Sequence, residues 1–142
     1  MAEEFINYGA NLVLIGRNPE RLEKTARQWN SPERVLSLPL GIRKPEEVTR
    51  GVEKTIERFK KIDGLINNAA GNFLCPTENL TPNGFNAVVS TVLHGTFYCT
   101  WAVGKHMINA GGGVILNVLA NYAETGASYV IPSAAAKAGV LN

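Results

Sequence analysis

Asn11-Leu12-Val13-Leu14-Ile15-Gly16-Arg17-Asn18-Pro19 is the stretch whose reading decides the fold. The apolar run from Leu12 to Ile15 is too short for a buried helix and rich in branched side chains, so it reads as a buried strand. Asn18 then offers a side-chain oxygen to free helical amides, and Pro19 suits the first helical position. Leu22, Ala26 and Trp29 continue at helical spacing. A strand that runs straight into a capped helix is half of a βαβ unit.

The same alternation extends outward in both directions. Ala2 to Tyr8 reads as the end of a helix stopped by Gly9. Val35 to Leu38 is a second strand, followed from Pro45 by a helix with the stripe Val48, Val52, Ile56 and Phe59. Gly64 to Asn67 is a third strand. A long helix is expected from about Pro82 to Asn109, then a fourth strand from Val114 to Val118 and a further helix from Pro132. Strands alternating with helices of this length imply an α/β fold with a doubly wound parallel sheet.

Composition narrows the function. The 142 residues hold one domain's worth of chain, with 45% apolar and 18% charged residues and a net charge of +2. That balance gives no electrostatic case for nucleic acid or an anionic membrane surface. Cys75 and Cys99 lie far apart without a CxxC pattern, which argues against a disulfide framework or a structural zinc, and no metal site is expected. Runs such as Val114-Ile115-Leu116 are too short to span a bilayer. The opening Met1-Ala2-Glu3-Glu4 is acidic where a secretion signal is basic, so the expected location is cytoplasmic. Charge is also unevenly placed. From Ile62 onward only Asp63, Glu78, Lys105, Glu124 and Lys137 are charged, which implies that this half lies against a partner subunit, a ligand or more protein.

In doubly wound sheets ligands bind beyond the carboxyl ends of the strands. Those ends point to Gly16-Arg17-Asn18, Pro39 to Arg43, Asn67 to Phe73 and Ala120 to Gly126. Asn67-Asn68-Ala69-Ala70-Gly71-Asn72-Phe73 combines amide side chains with small residues that let a ligand approach the backbone; it could equally be a polar turn. Tyr122 precedes Lys137 by fifteen residues with Ser133 between them. A tyrosine beside an ammonium can donate a proton or hydrogen-bond an oxyanion, although isolated Tyr, Ser and Lys residues more often have no such role.

The order GRNPERLE, IDGLINNAAG, YAETG and PSAAAKAGV resembles the short-chain dehydrogenase/reductase family, and NNAAGNF, LTPNGF and the early tyrosine resemble its 2,4-dienoyl-CoA reductases. The resemblance spans Ala2 to Leu141. It implies a Rossmann-like fold and NADPH-dependent reduction of 2,4-dienoyl-CoA thioesters in the oxidation of unsaturated fatty acids. Tyr122, Lys137, Asn72 and Ser133 would be catalytic. Arg17, Asn68, Ala69, Ala70, Gly71 and Lys137 would hold the cofactor, with Arg17 reading the 2′-phosphate. Arg43, Phe73 and Thr81 would meet the acyl-CoA; Phe73 could also be core, and Thr81 a helix cap. A homo-oligomer, a tetramer by resemblance, is implied, as is a peroxisomal or mitochondrial location in a eukaryote.

Departures from the broad pattern are informative. Ser133 stands where most of the family carry the catalytic tyrosine, four before the lysine. Ala120 and Val92 replace the usual serine and asparagine, and Gly41 replaces an aspartate that touches adenine. The dienoyl-CoA reductase pattern, with Tyr122, is intact. No Gly-rich phosphate loop precedes the first helix, and residues 1–142 are expected to be a partial Rossmann-like domain of a longer reductase. The other readings are a short-chain reductase acting on a ketone, either a 3-oxoacyl thioester or a sugar, and a catalytically inactive remnant.

Overall fold

A computed structural model describes all 142 residues. Four strands, β1 (Leu12–Gly16), β2 (Val35–Pro39), β3 (Gly64–Asn67) and β4 (Val114–Asn117), alternate with helices α1 (Ala2–Asn7), α2 (Pro19–Arg27), α3 (Pro45–Phe59), α4 (Pro82–Val89), α5 (Gly95–Asn109), α6 (Tyr122–Thr125) and α7 (Ile131–Leu141). Asn18 caps α2 as its sequence implies, its side chain accepting the Arg21 amide at 2.9 Å. That helix ends at Arg27, short of Trp29.

All strand pairing is parallel, but it falls into two pairs rather than one sheet. β1 pairs with β2, setting Leu12 opposite Val35, and β3 pairs with β4, setting Gly64 opposite Val114. β1 and β3 each pair along one edge only, and Ile15 and Ile66 on these strands are exposed. The doubly wound parallel sheet is thus incomplete, as expected of a partial Rossmann-like domain, and is present as two parallel pairs.

The expected long helix from Pro82 to Asn109 also differs. Between α4 and α5 the chain makes a π turn over Ser90–His94, with Val92 fully buried in it. Upstream, Val88 and Val92 pack on Ala136 of α7. Downstream, Cys99, Ala102, Val103 and Met107 of α5 pack on Val48 and Val52 of α3 to form the larger core. Gly95, where the π turn ends, admits Ile42: a Cβ there would lie 2.5 Å from the Ile42 side chain. This seats the loop after β2 on α5. Burial pushes the Cys99 thiol up to about 11, so it is a core side chain rather than a nucleophile.

Candidate active site

The site is assembled at the carboxyl ends of β3 and β4. Parallel pairing brings those ends together, and the Val118 amide donates to the Asn67 carbonyl at 3.0 Å. Asn67 is buried and gives its side-chain amide to Thr100 Oγ1 at 3.1 Å and Asn117 Oδ1 at 2.9 Å, joining β3, α5 and β4. Of the two asparagines at this strand end, Asn67 is thus spent on structure. The next segment, Asn68 to Phe73, is exposed, and the amides of Ala69, Ala70 and Gly71 have no partner within the chain. Those three free donors are what a close-lying polar ligand requires.

α7 supplies the basic group. Lys137 is only 5% exposed, and its ammonium donates to the Val118 carbonyl. No carboxylate pairs with it, since the ion pairs in the chain are Lys44–Glu47 and Lys61–Asp63. Burial holds its pKa below the ordinary lysine value. An ammonium has three donors, and one carbonyl satisfies only one. The remaining two suit neutral acceptors such as sugar hydroxyls.

One turn earlier on α7, Ser133 is buried and its hydroxyl lies 3.0 Å from the Tyr122 hydroxyl. Tyr122 opens the short helix α6, an element not anticipated from sequence, and α6 packs on α7. The structure therefore brings Tyr122, Ser133 and Lys137 to one place although fifteen residues separate the ends of the set. Asn72 lies exposed on the segment after β3 and makes no hydrogen bond to Tyr122. Its loop is tied to the tyrosine's side of the site, because the Cys75 amide donates to the Tyr129 carbonyl at 2.9 Å.

The remaining candidates lie around this centre. Thr81 caps α4, its hydroxyl accepting the Gly84 amide at 3.1 Å, and the tip of the Phe73 ring rests over Gly84. Phe73 remains exposed and available to an apolar ligand. Arg17 follows β1, exposed and without a side-chain partner, and Arg43 is likewise exposed after β2. Sequence reasoning missed Glu47. Its carboxylate accepts the Gly41 amide at 2.8 Å and pairs with Lys44 at 2.9 Å, so an acidic group stands beside Gly41 although residue 41 has no side chain. The Gly41 amide first, then Lys44, hold its carboxyl below the usual range. The signal was a glutamate in the first turn of a helix that begins at Pro45.

These elements, in this order, define a short-chain dehydrogenase: the family model described as short chain dehydrogenase matches residues 1–142, and the chain belongs to that family. Among its relatives is a probable 2,4-dienoyl-CoA reductase, (2E)-enoyl-CoA-producing, of Bacillus subtilis. It is 42% identical over 144 residues, covering 100% of this chain and 57% of the relative. A peroxisomal 2,4-dienoyl-CoA reductase of Mus musculus is 36% identical, covering 99% and 49%. The chain thus spans about half the length of these relatives. A crystal structure of a short chain dehydrogenase from Bacillus anthracis superposes with a TM-score of 0.95 at 45% identity, over 99% of this chain and 59% of that one. ElxO with NADP bound superposes with a TM-score of 0.91 at 25% identity, over 99% and 57%. No helix is long and apolar enough to cross a membrane, and no cluster of three metal-ligating side chains forms.

Proposed function

We propose that the protein takes part in NADPH-dependent reduction of 2,4-dienoyl-CoA thioesters. The observation that carries this reading is the 3.0 Å contact between Tyr122 and Ser133, one turn from Lys137. It puts a phenol beside the lysine by a route other than the family's usual spacing, and relatives named 2,4-dienoyl-CoA reductases cover the whole chain.

The residues suit the nicotinamide end of the cofactor: the buried Lys137 ammonium keeps two donors free for ribose hydroxyls, and Ala69 to Gly71 present free amides at the strand end. Arg17, unpaired after β1, offers a charge-assisted contact to a 2′-phosphate. NADPH, when bound, supplies a hydride to the far carbon of the diene. The electron pair displaced by that addition moves through the conjugated system to the thioester oxygen. Tyr122 donates a hydrogen bond to that oxygen as its charge develops, with the Asn72 amide as second donor. Ser133 fixes the phenol, and Lys137 orients the ribose. A proton taken up from solvent then adds to the dienolate carbon chain to complete the enoyl thioester. Arg43, Phe73 and Thr81 border the acyl-CoA. The working compartment is the cytoplasm, or the peroxisome or mitochondrion in a eukaryote.

The test is loss of NADPH absorbance with a 2,4-dienoyl-CoA, measured beside a 3-oxoacyl-CoA. Consumption with the diene and none with the ketone is expected; the reverse preference overturns the assignment in favour of a ketone reductase.

A further inference from the structure

Three residues other than glycine adopt a positive φ: Asn30 at 45°, Lys60 at 70° and Tyr129 at 65°. Asparagine tolerates that region, and Lys60 ends α3 in the left-handed cap common at helix C-termini. Neither reason holds for Tyr129. It lies in the turn between α6, which ends at Thr125, and α7, which begins at Ile131. An aromatic residue held in this conformation is strained. Its ring offsets little of that strain, being 55% exposed and stacked on no other aromatic ring. The compensating contact is at the Tyr129 carbonyl, which accepts the Cys75 amide at 2.9 Å.

That bond alone ties residues 69–75 to a distant part of the chain; the Cys75 thiol bonds only to the neighbouring Pro76 carbonyl. Asn72 stands three residues before Cys75, and Ser133, which anchors Tyr122, four after Tyr129. Three residues reach at most ~10 Å, so the bond keeps Asn72 within that distance of the turn leading into α7. The far side of the turn is fixed, because Val130, Pro132 and Ser133 are buried. Asn72 makes no hydrogen bond to Tyr122, so the alignment of the two depends on the backbone that carries them.

We propose that Tyr129 is a positioning residue: its left-handed backbone locks the Asn72 loop to the start of α7, holding Asn72 on the side of the site where Tyr122 stands. The role of Asn72 as second donor rests on the proposed reductase reaction. The lock itself is a property of the fold.

The test varies both ends of the bond in the 142-residue chain and reads amide hydrogen exchange and dienoyl-CoA reduction. Tyr129→Val resists a positive φ, whereas Tyr129→Asn accepts it. Cys75→Pro removes the amide and cuts the same bond from the other end, so one variant serves if the other fails to fold. In the parent and in Tyr129→Asn the Cys75 amide should exchange slowly. In Tyr129→Val it should exchange at least ~10-fold faster, as an amide released to solvent does. Tyr129→Val and Cys75→Pro should each lower kcat by about 10- to 100-fold, the effect of an ångström-scale misplacement. The KM for NADPH should not change, and Tyr129→Asn should stay close to the parent. In an Asn72→Ala background neither cut should lower kcat further, a coupling that general destabilisation does not produce. Equal exchange at Cys75 in the parent and Tyr129→Val would overturn the lock. Undiminished kcat in both cut variants, or a loss that persists without Asn72, would overturn the positioning and leave the reductase assignment standing. A parent that protects Cys75 but turns over no dienoyl-CoA would overturn that assignment, and the positioning of Asn72 with it.

Discussion

The hydroxyls of Tyr122 and Ser133 meet at 3.0 Å across the turn from α6 to α7. Residue 133, which in the broad family pattern would itself be the phenol, here anchors a phenol delivered from another helix. Because Ser133 and Lys137 are one helical turn apart on α7, anchoring Tyr122 at 133 also fixes its distance from the ammonium. Tyr122→Phe keeps the ring and removes the donor. Turnover of a dienoyl-CoA should fall by ~10²–10³-fold, the effect of one missing oxyanion donor, with NADPH affinity essentially unchanged. Fluorescence titration and steady-state kinetics check both halves; undiminished turnover would remove Tyr122 from the mechanism.

Arg17 has no partner in the chain, so its charge is available to a ligand phosphate. Arg17→Ala should weaken NADPH binding by roughly tenfold or more, in line with about 1.5–3 kcal/mol for a hydrogen bond to a charged group, and leave NADH binding nearly as it was. Equal losses for the two cofactors would place Arg17 away from the phosphate.

Lys137 sets a pH dependence whose sign follows from burial. Its folded-state pKa lies below the ordinary value of 10.5. Between the two the unfolded chain binds more protons, so stability rises with pH through that window, while below it the buried charge is a fixed cost. Lys137→Met lacks the charge. The variant should melt at or above the parent near neutral pH, with the gap narrowing as pH approaches 10.5. Melting curves across that range test this, and a gap that widens with pH would contradict it. Reductase activity should be lost in the same variant.

Asn67 holds β3, β4 and α5 together with two side-chain hydrogen bonds. Asn67→Ala should destabilise the fold by about 2–3 kcal/mol, since it strands Asn117 and Thr100 as well as losing the bonds. Urea unfolding measures it, and a loss below about 0.5 kcal/mol would mean that water replaces the amide.

Local signals accounted for much of this architecture. Asn18-Pro19, Pro45 and the short apolar runs carry their own start and stop chemistry, so β3 and α3 fall where their residues indicate. Gathering Tyr122, Ser133 and Lys137 depended instead on a resemblance, because no spacing rule links a residue on one helix to two on another. The incompleteness of the sheet was legible, whereas the π turn and α6 were not. Each of these two is set by how elements pack across the chain: Val92 wedged against α7, and Tyr122 held by Ser133. Glu47 escaped notice because its role is to reach back over a glycine, which only the folded loop reveals.

The π turn at Ser90–His94 amounts to one extra residue in an otherwise regular helix, a rotation of about 100°. Val88, Val92, Cys99, Val103 and Met107 would form a single straight stripe on an uninterrupted helix, able to face only one neighbour. The extra residue turns the upstream part toward α7 and the downstream part toward α3. The segment therefore works as a two-way clamp, gripping α7, which carries Ser133 and Lys137, at one end and α3 at the other. Deleting one residue of the turn other than Val92 would keep all five of those side chains in the chain and aim half of them at the wrong neighbour.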